Sequence, residues 1–292
     1  MENPGHNFLG LPEQFSERTQ SECVILPIPY EQTTTYVKGT RLGPKAILDA
    51  SQQVELYDEE LDGEPYTRGI HTAPYLILER TPEDALKEIQ RAVTEILKEK
   101  KTPVALGGEH TLTVGVVKAF AEVYDNMTVL QLDAHADLRD EYLGSKLNHA
   151  CTVRRLLEYV PVVQAGVRSL SKDEADCINE NNLTVFYAQG MRKKNQGGEI
   201  VSNLSDTVYV SLDLDVLDPG IMPSVGTPEP GGLDWYDVLG LIRAVTQKKR
   251  IVGFDVVELC PQAGNVAPDF LAAKLVYKMI GYIGATTKGK AK

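Results

Sequence analysis

This sequence predicts a parallel β-sheet covered by helices on both faces, and three observations carry the prediction. Short apolar runs near 23–28, 75–78, 103–106, 127–132, 162–167, 183–187, 207–213 and 250–257 give about eight strands, most of them separated by segments of helical periodicity. Runs such as Met127-Thr-Val-Leu-Gln-Leu132 have the apolar and β-branched character of strands buried on both sides. Three runs end in acids and histidines, and ligands in such folds sit beyond the carboxyl ends of the strands.

Residues 1–22 are polar and mixed, which predicts an irregular arm over the surface or a neighbouring subunit. Cys23-Val-Ile-Leu-Pro-Ile28 is the first buried strand. The stretches Pro29 to Tyr36 and Gly39 to Pro44 are rich in turn formers and hydroxyls, so a long loop leads into a helix near 44–54. Thr81-Pro-Glu-Asp84 opens a further helix with an N-cap hydroxyl, proline at the first helical position and acids in the first turn. Ala85, Ile89, Ala92, Val93, Ile96 and Leu97 line one face of that helix. The Gly107-Gly108 turn precedes a helix near 111–123, and others are predicted near 150–159, 171–181, 234–247 and 268–283. No internal repeat or linker divides the chain, so 23–283 is read as one domain and the small, basic stretch 284–292 as a tail that frays.

Composition narrows the function classes. With 42% hydrophobic and 24% charged residues the chain is ordinary for a globular protein, and no apolar run approaches the roughly 18 residues a membrane helix needs. The first residues lack the basic and apolar regions of a secretory signal, so a cytoplasmic location and no membrane partner are expected. Cys23, Cys151, Cys177 and Cys260 form no Cys-x-x-Cys pair, which argues against a zinc ribbon, a redox motif or a disulfide scaffold. A net charge of −11 opposes nucleic-acid binding and favours a small cationic ligand.

The chemistry concentrates at three strand ends. Asp133, His135 and Asp137 follow the 127–132 run at spacing two, so a strand would send all three to one face. Asp213 and Asp215 repeat the pattern after 207–212, and the 103–106 run leads straight into Gly107-Gly-Glu-His110. Buried carboxylates without a positive partner face a large desolvation penalty, so a metal ion is the natural occupant. Two His and four Asp are too many for one four-coordinate zinc, and two ions sharing ligands fit better. Carboxylate with imidazole suits Mn²⁺, with Zn²⁺ and Co²⁺ as rivals. The four Asp charges balance two divalent ions and leave a bridging water that can be deprotonated near neutral pH. Either motif alone would read as a surface turn; their joint appearance on three strand ends argues otherwise.

These motifs, Gly107-Gly-Glu-His110, Asp133-Ala-His-Ala-Asp137 and Ser211-Leu-Asp-Leu-Asp-Val-Leu-Asp-Pro219, resemble the three signatures of the ureohydrolase family, the arginases and agmatinases. The resemblance runs from about Cys23 to Tyr282. It implies an α/β/α sandwich, assembly into trimers or hexamers, and a dimanganese site. His110, Asp133, Asp137 and Asp213 would hold one Mn²⁺ and Asp133, His135, Asp213 and Asp215 the other, with Asp133 and Asp213 bridging. Glu109 stands where the family often carries Asp, and it is not a ligand. The resemblance also gives roles to three catalytic candidates. Glu258 matches the guanidinium-binding Glu, Asp137 is the ligand that carries a proton to the departing amine, and His149 matches the proton-shuttling His.

The implied reaction is attack of a metal-bridging hydroxide on a guanidinium carbon, releasing urea and an amine. Arg139 stands where arginases carry the Asn that reads the substrate carboxylate, and its surroundings resemble bacterial and archaeal agmatinases. Agmatine, hydrolysed to putrescine and urea, is therefore the expected substrate, with N1-aminopropylagmatine, arginine and guanidinobutyrate as rivals. A single-zinc deacetylase-like amidohydrolase and an inactive metal-dependent binding protein are more distant alternatives.

Overall fold

The computed structural model describes residues 7–78, 81–194 and 196–288. Its eight strands are β1 Cys23–Ile28, β2 Ile70–Thr72, β3 Thr102–Gly107, β4 Met127–Leu132, β5 Val162–Val167, β6 Thr184–Tyr187, β7 Thr207–Asp213 and β8 Arg250–Val257. They form one sheet in the order β2-β1-β3-β8-β7-β4-β5-β6, and every neighbouring pair is parallel. The helices are α1 Glu13–Ser16, α2 Gly43–Ser51, α3 Pro82–Lys98, α4 Leu112–Ala121, α5 Thr152–Leu156, α6 Lys172–Glu180, α7 Ala188–Lys193, α8 Gly197–Ser202, α9 Trp235–Lys248 and α10 Ala267–Lys288.

Alternation along the strands splits the core into two layers. Val104, Leu106, Leu130, Leu132, Val210 and Leu212 face Ile47 of α2, Ile242 of α9 and Val276 of α10. Val24, Leu26, Ala105, Val129 and Tyr209 face Ile89 of α3, Val117 of α4 and Val153 of α5. With both faces covered, no strand needs a polar side, which is why the strands read as continuous apolar runs. The result is the predicted three-layer sandwich.

The sheet order determines where the site falls. Strands β3, β8, β7 and β4 are consecutive in the middle of the sheet, and their carboxyl ends carry His110, Glu258, Asp213 and Asp133. Residues far apart in sequence are thus brought to one edge of the sheet.

Several local expectations change. The run at 75–78 is not the edge strand; that strand is β2 at Ile70–Thr72. The following chain still tracks β1, with the Ala73 N–H donating to Ile25 O at 2.8 Å and the Leu76 N–H to Pro27 O at 3.1 Å. Pro74 has no N–H to offer and interrupts the ladder. The short helices α7 and α8 were not predicted, since neither spans two turns of periodic apolar pattern. Residues 7–22 do more than cross the surface: Phe8, Leu9 and Leu11 are buried, and the Phe8 and Leu9 N–H groups donate to the hydroxyls of Thr72 and Ser51, each at 2.9 Å. Helix α10 continues through Gly284, whose carbonyl accepts from Arg68 Nη1, and extends to Lys288. The rest of the expected tail, 289–292, lies outside the described residues. Among the described residues no helix is long and apolar enough to cross a membrane.

Candidate metal centre

His110 is delivered by a turn that only glycine permits. A Cβ on Gly108 would lie 2.0 Å from the carbonyl oxygen of Tyr30, so that position has no room for a side chain. The tight approach lets the Gly108 N–H donate to Ile28 O at 3.0 Å and the Glu109 N–H to Tyr30 O at 2.8 Å, which fixes the next residue. The His110 imidazole is buried, with Nδ1 at 3.0 Å from Asp133 Oδ2, 3.3 Å from Asp213 Oδ2 and 3.5 Å from Asp137 Oδ2.

The Asp133 to Asp137 segment converges, but not as a strand. β4 stops at Leu132, and only Asp133 continues its direction. His135 lies beside Ser169 in an isolated bridge, and Asp137 turns back with a left-handed φ of 51°. Such a conformation costs about 1–3 kcal/mol for a non-glycine residue and is concentrated at functional sites. Hydrogen bonds hold the turn: the Ala134 N–H donates to Asp215 Oδ1 at 2.9 Å and the Leu138 N–H to Glu174 Oε1 at 3.0 Å. His135 Nδ1 lies 2.8 Å from Asp215 Oδ2 and 3.6 Å from Asp133 Oδ1. Asp215 sits in a 3-10 turn, its N–H donating to Asp213 Oδ1 at 2.8 Å.

Two groups able to hold an ion result: His110 with Asp133 and Asp213, and Asp133 with His135 and Asp215. Within each group the ligand atoms lie within 4.8 Å of one another. Asp133 belongs to both, turning Oδ2 to one histidine and Oδ1 to the other, as a bridging carboxylate does. Asp213 enters the first group, and Asp137 contacts it through His110.

The donor set fits a cation. His110 Nδ1 is buried and has no hydrogen-bond partner although three carboxylates surround it. The other ring nitrogen, Nε2, contacts Ser211 Oγ at 2.9 Å. A buried imidazole nitrogen left without a partner is costly, and a metal ion would satisfy it.

Above the cluster lies a cavity of about 300 Å³, whose lining includes Glu258, His149, Arg139, Tyr36 and Thr227. Glu258 is buried and also left-handed, with φ 67°. The His149 ring meets Thr33 Oγ1 at 3.1 Å through Nδ1. Arg139 stacks over the Tyr142 ring at 4.8 Å and approaches Glu174 at 4.0 Å. The structure thus brings all six predicted ligands and the other two candidates to one place.

A model of the arginase family matches residues 21–281. The chain belongs to the arginase family. It is 41% identical to the N(1)-aminopropylagmatine ureohydrolase of Synechocystis sp., covering 98% of each chain, and 34% identical to the agmatinase of Pyrococcus horikoshii, covering 89% of this chain and 92% of that one. The solved agmatine ureohydrolase of Thermoplasma volcanium superposes with a TM-score of 0.86 at 31% identity, covering 93% of each chain. As a member of this family the chain is an agmatinase-like ureohydrolase.

The electrostatics of this arginase-family site show the strain of packing acids together. Burial raises the Asp137, Asp213 and Glu258 carboxyls well above the usual range, and neighbouring carboxylates raise them further. Burial acts in the same direction on Asp133, but its contacts with His110 and His135 outweigh that and lower it. Burial disfavours charge on His110, yet Asp133 and Asp213 raise it well above the imidazole range. His135 is likewise opposed by burial and carried up to about 12 by Asp215 and Asp133. Burial keeps His149 below the usual imidazole range, partly offset by Glu109 and reinforced by His135 and His110.

Two further residues of the family site carry weight that the motifs did not announce. Buried Asp255, on β8, accepts from Ser211 Oγ at 2.8 Å, Tyr209 OH at 2.7 Å and Thr113 Oγ1 at 3.0 Å, so it supports the hydroxyl behind His110. An Asp inside the apolar run Ile251-Val-Gly-Phe-Asp-Val-Val was the available signal. Glu229 accepts from Ser169 Oγ at 2.9 Å and lies 3.9 Å from His135 Nε2; nothing in its turn-rich segment separated it from other loop acids.

Proposed function

We propose that this arginase-family enzyme hydrolyses the guanidino group of a linear polyamine-type guanidine, N1-aminopropylagmatine ahead of agmatine, releasing urea, with two Mn²⁺ ions in its site. The observation that carries this reading is the pair of overlapping ligand groups sharing Asp133, set beneath a buried Glu258 at the ends of the four central strands. His110, Asp133, Asp137 and Asp213 would hold one ion, and Asp133, His135, Asp213 and Asp215 the other. When bound, such ions act as Lewis acids and make water a nucleophile near neutral pH.

The chain supplies the rest. The carboxylate of Glu258 receives N–H donors of the planar guanidinium and orients its carbon toward the cluster. Water oxygen bonds to that carbon, the carbon–nitrogen bond to the amine breaks, and the amine must leave protonated. Asp137, at the first ligand group, carries that proton, and His149 exchanges protons between the cavity and solvent.

Two observations favour the longer substrate over agmatine, the first choice from sequence. The relatives from Synechocystis and Thermus thermophilus named N(1)-aminopropylagmatine ureohydrolase are 41% and 39% identical, against 34% for the Pyrococcus agmatinase. The cavity also adjoins a groove that shares Arg139, Ser171 and Glu174 with it and is lined by Glu141, Asp173 and Glu180, a wall suited to an added cationic arm. Urea release from N1-aminopropylagmatine, agmatine, arginine and guanidinobutyrate, at equal concentration in Mn²⁺, tests the assignment. The highest kcat/KM should fall on N1-aminopropylagmatine; arginine or guanidinobutyrate leading would overturn the polyamine reading.

A further inference from the structure

Glu109, adjacent to His110, is fully buried and accepts four hydrogen bonds, three of them from the distant loop after β1. Its Oε2 accepts from the N–H groups of Gln32 and Thr33, each at 2.6 Å. Its Oε1 accepts from the hydroxyls of Thr33 and Thr111, each at 2.7 Å. The loop after β1 is thereby tied down beside the cavity. Thr33 also meets His149 twice, through the backbone N–H at 3.0 Å and through ring Nδ1 at 3.1 Å.

The direction of these bonds follows from counting protons. A threonine hydroxyl has one hydrogen and two lone pairs. The hydrogen of Thr33 is given to Glu109, so toward His149 the hydroxyl oxygen can only accept. The His149 backbone N–H takes one lone pair, and the ring contact requires a hydrogen on Nδ1. Nε2 then keeps its lone pair, and it has no partner among the described residues of a side chain that lines the cavity.

We infer that Glu109 and Thr33 are positioning residues for His149: they hold its ring in the Nδ1–H tautomer and leave Nε2 to accept and release protons in the cavity. This rests on the reading of His149 as the proton relay. It explains why the loop between Tyr30 and Tyr36, which contributes no metal ligand, is anchored so firmly beside the site. It also gives Glu109 a part in the chemistry although it touches neither substrate nor metal.

A double-mutant cycle on the Mn²⁺-loaded full-length enzyme tests it, with urea release from agmatine as the readout. Thr33→Val removes the acceptor and should lower kcat about 10- to 100-fold, with KM and metal content within about twofold of the parent. Thr33→Ser retains the hydroxyl and should recover most of the rate. Because Thr33 acts through His149, adding Thr33→Val to His149→Ala should cost less than about twofold more. Losses that multiply in the double variant, or a Thr33→Val enzyme with parental kcat, would overturn the inference while leaving the relay standing. Full kcat in His149→Ala would refute the relay itself, and the inference with it. Thr33→Ala replaces Thr33→Val in the cycle if melting shows the valine variant unfolded.

Discussion

The backbone N–H of His110 donates to Oε1 of Glu258 at 2.7 Å, so the residue whose ring faces the cluster of aspartates also holds the carboxylate above it. A second bond, from the Glu258 N–H to Gly108 O at 2.9 Å, locks the end of β8 against the turn after β3. Glu258 and His110 are therefore fixed relative to one another, the two turns by a backbone–backbone bond and the Glu258 carboxylate by the His110 N–H.

That coupling makes Glu258→Gln informative. The amide keeps an oxygen for the His110 N–H but turns donors toward a guanidinium that needs acceptors, and it removes the charge. Urea release should fall about 100-fold or more while metal content is unchanged. Elemental analysis showing loss of metal in this variant would mean that Glu258 supports the ions and not the substrate.

Behind His110, Ser211 bridges Nε2 to the buried Asp255. Ser211→Ala would take that hydroxyl from His110 Nε2 and from Asp255 Oδ1, while Asp255 Oδ2 keeps its bonds from Tyr209 and Thr113, and would free the imidazole to rotate. Mn²⁺ affinity should fall about 10- to 100-fold, the usual effect of removing such a supporting contact. Competition against a chelator measures it, and an unchanged affinity would deny Ser211 this role.

Asp133 lies in both ligand groups, whereas His110 lies in one. Asp133→Ala should therefore cost far more activity and metal than His110→Ala, compared by urea release and bound metal per chain. Equal losses would count against the bridging assignment.

Metal affinity should depend steeply on pH, and the sign follows from the histidines. Without an ion, His110 and His135 hold their protons well above the imidazole range, His135 up to about 12. An ion must displace those protons, so binding is opposed more as pH falls and strengthens as pH rises. Each proton displaced adds about tenfold in affinity per pH unit. Titrations at about pH 6.5 and 8.5 should differ by at least that factor per unit; a flat profile would show that the histidines bind no metal.

How much of this was legible in the sequence differs from element to element. β4 and β7 announced themselves because a sheet covered on both faces leaves few polar positions to blur the pattern, and the Thr81 cap marked α3 correctly, its hydroxyl accepting from the Asp84 N–H at 3.3 Å. Spacing also grouped Asp133, His135 and Asp137, although a left-handed turn and not a strand brings them together. Period-two spacing therefore picked out residues that do converge, for an incomplete reason. Glu109 and Thr33 were hidden for a different cause: their roles arise from contacts across 77, 76 and 116 residues, which no local pattern records. The edge strand was misplaced because Pro74 breaks a ladder that the apolar residues continue.

A site built on two overlapping ligand groups should work only when two ions fill it. Metal-free chain should be titrated with Mn²⁺ while urea release and bound metal are followed together. Activity should climb with occupancy and level off at two ions per chain, with Asp133→Ala failing to reach that plateau. Full activity at one ion per chain would contradict it.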